Sequence, residues 1–236
     1  MKNRILVIVF SLFTFTLFAQ EPLLEEYVYE DTVRSAYGPN LKHYLYSYVG
    51  YALVAGSSEV GMPVKYGNAG SVVWGLKYKY RLNNTFALGL GLSYTAQYFP
   101  LKQDSSKTFP NKVHHEKERF SFNNIGADVF ARINFNRRRG NVIGTYADVG
   151  GYLDWVVGSK YYTKVLSSAA SNSKYTETSY TQLTTIHDFN HGLLAKIGYK
   201  GFAAFAKYRL SDIFTGGSGI PDLPRLMLGI EIGTIN

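Results

Sequence analysis

The chain has 236 residues, 25 Lys and Arg against 17 Asp and Glu, a formal net charge of +8 and no cysteine. The missing cysteines exclude disulfides, a thiolate metal centre and a cysteine nucleophile. Mean hydropathy is −0.11, and no stretch after residue 19 is apolar for long enough to form a transmembrane helix, so any membrane crossing must be made by a closed sheet.

Residues 1–19 read as a cleavable export signal. Lys2 and Arg4 form a positive start, Ile5 to Phe18 an apolar stretch, and Ala19-Gln20 the cleavage point. Leu17 at the −3 position departs from the small-residue pattern, which leaves the site open by a few positions. A retained anchor is the alternative, although the stretch is shorter than the roughly 20 residues that span a bilayer. Residues 20–42 form an acidic periplasmic lead. It carries Glu21, Glu25, Glu26, Glu30 and Asp31 beside Leu23, Leu24, Tyr27, Val28 and Tyr29. It is either disordered or docked at the periplasmic mouth against Arg81 and the arginine turn described below.

From residue 43 to 236 the chain alternates apolar and polar positions, the period-two signature of strands. His43 to Gly56 is the first and least regular, with tyrosines on both faces. Val72, Trp74, Leu76, Tyr78 and Tyr80 share a face opposite Gly75, Lys77, Lys79 and Arg81. Phe86 to Tyr98 alternates most cleanly, with leucines and aromatics on one face and small residues on the other. Glycines on the second face suit a crowded interior. Ile125, Val129 and Ile133 oppose Asn124, Asp128 and Arg132. Phe120 and Phe122 fall out of phase with Ile125, which predicts a bulge near Asn123-Asn124. Further strands follow over 143–155, 190–199, 202–210 and 225–232.

The connections alternate strictly. Residues 57–68, 100–118, 158–184 and 212–222 are long and polar; residues 82–84, 136–141 and 200–201 are short. Short periplasmic turns and long extracellular loops are the pattern of an up-and-down antiparallel transmembrane β-barrel in a bacterial outer membrane. The expected fold is all-β with about eight strands, ten being the alternative. The excess of basic residues suits an anionic lipid surface, and export argues against a nucleic-acid partner.

An eight-stranded barrel is just wide enough for side chains to fill it. The register sends Lys77, Lys79, Arg81, Asp128, Arg132, Asp148, Asp154, Lys196, Lys207, Arg209, Arg225 and Glu231 into the lumen. Buried ions must pair, so a lattice of salt bridges is expected, with Glu231 and Lys207 as a specific pair. Lys77 and Lys79 are expected opposite Gly89 and Ala87. Such a lattice is either a plug or a narrow conduit preferring anions.

Candidate chemistry outside the lumen is sparse. His114-His115-Glu116 resembles a metal or acid–base cluster, but adjacent strand residues face opposite ways and chelate poorly. His187 and His191 stand about 13 Å apart if on a strand. No metal or cofactor is expected. Ser105, His114 and Glu116 could be cast as a lipid-modifying triad, without a nucleophile motif to support it. Arg137, Arg138 and Arg139 form a basic periplasmic turn suited to inner-leaflet phosphates. The loop 158–184 could extend the barrel as a hairpin and offer Tyr161, Tyr162, Tyr175 and Tyr180 to a partner or glycan.

Phe122-Asn123-Asn124-Ile125-Gly126, the arginine-rich turn after Arg132-Ile133-Asn134-Phe135, Tyr146-Ala147-Asp148-Val149-Gly150-Gly151 and Leu228-Gly229-Ile230-Glu231-Ile232-Gly233 resemble the small outer-membrane β-barrel families. These include OmpA- and OmpX-sized barrels and the PorT-like barrels of bacteria with type IX secretion. The likeness covers most of the chain after the signal. It implies a barrel that stabilises the envelope, binds a partner or serves a secretion machine, and it carries over no catalytic residue. The expected function is therefore a non-enzymatic structural or binding barrel, or an accessory subunit of an envelope or secretion complex. Its expected partners are outer-membrane lipid and lipopolysaccharide, with an envelope protein complex as a further candidate. The alternatives are an outer-leaflet lipid-modifying enzyme, as an acyltransferase or lipase, and a narrow anion-preferring channel.

Overall fold

Alternation of side chains becomes a closed wall when every strand finds two neighbours. In the computed structural model, residues 35–136, 138, 140–166, 174–217 and 219–233 are described. The expected signal, the lead as far as residue 34, and Arg137 and Arg139 lie outside them. The strands are β1 (His43–Val54), β2 (Gly70–Arg81), β3 (Phe86–Pro100), β4 (Lys117–Asn134), β5 (Thr145–Leu166), β6 (Tyr175–Thr181), β7 (Phe189–Tyr199), β8 (Phe202–Arg209) and β9 (Leu226–Gly233). All pairings between them are antiparallel. β1 pairs with β2 and β9, and β4 pairs with β5, so eight strands close into a ring. β6 stands outside the ring and pairs with β5 alone among the described residues.

The outer wall is apolar. Leu90, Leu92, Val129, Val149, Ile197 and Ile230 are each more than half exposed. In water this surface would be an aggregation hazard; in a bilayer it is the solvated face of a barrel. Trp74, Tyr94, Ile125, Trp155 and Phe189 follow one another through direct register partners across β2, β3, β4, β5 and β7. Together they form an outward, largely aromatic row towards the extracellular end. Phe86, Phe135, Tyr199 and Phe202 face outward at the other end. This is a membrane-spanning barrel of the outer-membrane kind.

Two local expectations need correction. The register irregularity does fall at Asn123/Asn124, but the extra residue belongs to β5. Asn123 faces Gly158 and Asn124 faces Val156, leaving Val157 without a partner on β4. Phe120 and Phe122 stay in phase with Asn124 and point inward. Lys77 and Lys79 sit opposite Gly91 and Gly89, and Arg81 opposite Ala87, one pleat repeat from the expected partners. The 158–184 segment forms the hairpin that its composition allowed: β5 runs on to Leu166 and pairs with β6.

The chemistry of the inward face changes along the barrel axis. In the membrane-spanning part β4 sends Asp128 and Arg132 inward and Val129 and Ile133 outward. Beyond Asn124 it sends Phe120 and Phe122 inward and Lys117 and Arg119 outward. The parity is unchanged, but the surroundings are not. Lipid surrounds the lower wall and water the upper one, so the upper part folds like a soluble protein with an apolar centre. Met62, Val64, Phe99, Phe120, Phe122, Tyr161, Phe214 and Leu223 form that centre, and it closes the extracellular mouth.

Candidate functional site

The interior of the spanning section is built in layers. At the periplasmic mouth, residues 35–42 cross the opening. Lys79 Nζ donates to the Pro39 carbonyl, Arg81 Nη1 to the Asn40 carbonyl at 2.6 Å, and Asn141 Oδ1 accepts from the Asn40 N–H at 3.0 Å. Next comes a bidentate pair: Arg132 Nε and Nη2 donate to Asp148 at 2.7 and 2.8 Å, and the guanidinium lies 3.6 Å over the Tyr146 ring. Tyr46 accepts a further bond from Arg132 at 3.1 Å. The fork geometry matches a carboxylate in both plane and charge, which suits a buried site.

In the middle layer Glu231 holds two lysines. Lys77 donates to it at 3.1 Å and Lys196 at 2.5 Å. The Lys77 ammonium also lies 4.0 Å from the centre of the Tyr48 ring. Lys207 does not reach Glu231, contrary to the sequence expectation. It pairs with Asp154 at 2.9 Å and lies 3.9 Å over Tyr152. The residues are on neighbouring strands, but Lys207 pairs in register with Met227 and Glu231 with Ala203, so the two stand two pleat repeats apart.

At the outer rim Arg209 donates to Asp222 at 2.9 Å and to the Leu223 carbonyl at 2.6 Å. Asp222 in turn accepts from the Ile213 N–H at 3.0 Å, and its own N–H donates to Glu59 at 2.8 Å. One ion pair thus ties loops 57–68 and 212–222 to the barrel. Arg225 joins Asp212 and Asp222 at this rim and is partly exposed. Arg225, which precedes β9, and Arg81, which ends β2, stand at the two mouths rather than at mid-barrel; Arg225 lines the outermost lumen cavity and Arg81 bonds to Asn40. Two lumen cavities, of about 20 and 40 Å³, have space for a few waters. Asp128 Oδ2 and Thr95 Oγ1, which line the larger one, have no protein partner.

Sequence reasoning put Tyr146 and Tyr152 on the inward face but missed what the inner tyrosines do. Tyr44, Tyr46, Tyr48, Tyr146 and Tyr152 are buried and stack on or bond to the lumen cations. Their signal was the i, i+2 spacing of Tyr44, Tyr46 and Tyr48. It also missed Lys107 and Glu118, a fully buried ion pair in the extracellular part. Glu118 accepts from Tyr161 at 2.7 Å and from Gln103 at 2.8 Å. Burial and the Glu118 carboxylate push the Tyr161 hydroxyl well above its ordinary range.

The four tyrosines expected on the partner-binding loop separate. Tyr161 packs inward, 5.0 Å from Phe120, and is not available to a partner. Tyr162 lies under Arg119 at 5.0 Å, and Tyr175 under Lys164 at 4.0 Å. Tyr180 is 59 % exposed. Arg138 of the basic turn is exposed. Ser105, His114 and Glu116 are all exposed on the second long loop, and no hydrogen bond joins their side chains. The arrangement a lipid-modifying triad would need is not formed by these three. Among the described residues no group of three His, Asp or Glu side chains is placed to hold a metal.

No protein-family model matches the chain, and no curated protein is similar to it at a significant level. Solved structures similar to it include two of Ail, the attachment invasion locus protein of Yersinia pestis. The first is 14 % identical with a TM-score of 0.37, over 82 % of this chain and 99 % of that one. The second, in complex with the heparin analogue sucrose octasulfate, is 15 % identical with a TM-score of 0.36, over 80 % and 97 %. The barrel assignment rests on the strand pairings and the apolar wall.

Proposed function

We propose that this protein is a non-enzymatic binding barrel of the outer membrane. It is anchored among lipopolysaccharide and engages an envelope protein through its extracellular hairpin, as an accessory subunit. The observation that carries this reading is the β6 edge. β6 extends the β4–β5 wall above the mouth, six of its seven residues are exposed, and its second edge has no strand beside it among the described residues. An unpaired edge is a template for an added strand. Its Thr, Ser and Tyr side chains keep it soluble when alone. The charged lumen and the apolar cap above it support a filled barrel over a conduit. The likeness to PorT-like barrels is consistent with a place beside a secretion machine.

The test is a mild-detergent pull-down of the tagged protein from native envelopes, compared with a variant lacking residues 165–178. A stoichiometric protein partner that is lost from the variant supports the reading. Recovery of both proteins alone, or with glycolipid only, overturns it. Single-channel recordings with no conductance would accord with the filled lumen, whereas a steady anion current would favour the channel.

A further inference from the structure

We propose that the outward face of β3 and β4, just above the apolar wall, is a binding site for the phosphate groups of an outer-leaflet glycolipid. The inference rests on the outer-membrane reading above and places a lipid contact on the barrel. A groove of about 890 Å³ opens there, lined by Lys65, Lys102, Lys117, Arg119, Tyr98 and Tyr162 among others. The four cations are exposed. None of them is paired with a carboxylate among the described residues. Several other cations at this end are paired with carboxylates: Arg209 and Arg225 with Asp222 and Asp212, Lys107 with Glu118, and Lys164 with Glu177.

Two carboxylates line the groove. Glu118 turns inward to Lys107 and Tyr161, which leaves Glu116 as the exposed carboxylate of the lining; outside the lining, Glu177 acts on Lys117 and Asp104 on Lys102, so the cations still outnumber the acids around them. Arg119 is held over the Tyr162 ring at 5.0 Å. Stacking fixes the guanidinium plane and leaves its edge free for a bidentate contact to phosphate.

Position selects the occupant. Tyr98 faces outward and is register partner to Ser121, while Arg119, two residues further along β4, pairs with Pro100. Two residues amount to about 5 Å along the membrane normal, at ~3.3 Å per residue and ~40° tilt. The cations therefore begin where the aromatic contact with the membrane interface ends. That puts them just outside the membrane interface, on the outward face that continues the apolar wall, within reach of the phosphates of an outer-leaflet glycolipid. Tyr98, Pro100 and Leu101 supply an apolar floor, which suits a headgroup that continues into acyl chains.

The test uses the full-length protein extracted from its own outer membrane in mild detergent. Bound glycolipid per barrel is counted by native mass spectrometry, followed by titration with lipopolysaccharide, dephosphorylated lipopolysaccharide and inorganic phosphate. Charge reversal by Lys117→Glu with Arg119→Glu is expected to lower retained glycolipid about tenfold or more, given the summed attraction of basic side chains for anionic lipid surfaces. Lys112→Glu, an exposed loop change outside the groove, should retain the wild-type amount. If the strand variant fails to fold, Lys65→Glu with Lys102→Glu makes the same test from the loops. Equal retention in wild type and groove variants overturns the site. So does equal binding of the dephosphorylated glycolipid, or full displacement by inorganic phosphate. The hairpin deletion described above should leave glycolipid retention unchanged, so loss of a protein partner and loss of the lipid site are separate results.

Discussion

Removing the charge of Glu231 should destabilise the barrel by breaking two buried ion pairs at once. Glu231 is 4 % exposed, and both Lys77 and Lys196 rest on it, themselves 2 % and 3 % exposed. Glu231→Gln leaves two buried ammonium groups around one neutral amide. Breaking a buried ion pair from one side costs about 3–5 kcal/mol, because the remaining charge is uncompensated. Lys77 keeps its contact with Tyr48, which places the expectation at the lower end, about 3 kcal/mol. The assay is urea unfolding in lipid bilayers, followed by Trp74 and Trp155, which both face outward, and by heat-modifiable gel mobility. With a urea slope of about 1–3 kcal/mol per molar, the midpoint should fall by about 1 M or more. The control is the triple replacement Lys77→Met, Glu231→Leu, Lys196→Met. Exchange of a buried ionic cluster for apolar residues is often neutral or stabilising by about 1–4 kcal/mol, so the triple variant should recover the midpoint. An unchanged midpoint for Glu231→Gln, or a triple variant as weak as the single one, would refute the reasoning.

Phe122→Ala should cost about 3–5 kcal/mol, since Phe122 is 2 % exposed and packs against Phe99 and Phe120. The loss should appear as faster proteolysis of the extracellular loops while gel mobility of the barrel is kept. Gly150→Ala should cost about 1–3 kcal/mol and lower the folded yield on refolding, because a Cβ there would lie 2.0 Å from the Val129 carbonyl oxygen on β4. Burial of His115 holds its imidazole below the ordinary range. A folded value below the unfolded one near 6.5 means stability is full above that pH and is lost as pH falls through the folded value. Amide protection factors in loop 100–118, corrected for the intrinsic pH dependence of exchange, should therefore fall as pH drops below about 6.5, and His115→Gln should flatten that dependence.

Much of this barrel was legible as pattern. A period of two, with apolar residues at alternate positions, identifies strands whatever their neighbours, and strict alternation of short and long connections admits little but an up-and-down arrangement. Phe86 to Tyr98 shows why: every outward position is apolar or aromatic, and the inward ones are small. The β5–β6 hairpin was visible as a possibility because the segment is rich in Tyr and Thr, which favour strands. What escaped were quantities that depend on two strands at once. Lys207 was assigned to Glu231 on neighbouring strands, but register, set by the turns and by the unpartnered Val157 in β5, brings Asp154 to Lys207 and two lysines to Glu231.

Sequence alone determined that the chain makes strands, which residues alternate, and that its apolar face must meet something other than water, because each of these is a local property of side-chain chemistry. Only the tertiary structure decided which inward charge meets which, where Phe120 and Phe122 change from an apparent phase error to a hydrophobic cap, and why Lys117 and Arg119 stay unpaired outside. The side of a strand that faces lipid, water or a partner ion is set by the strands beside it and by height along the membrane normal, and neither is written in the order of residues along one strand.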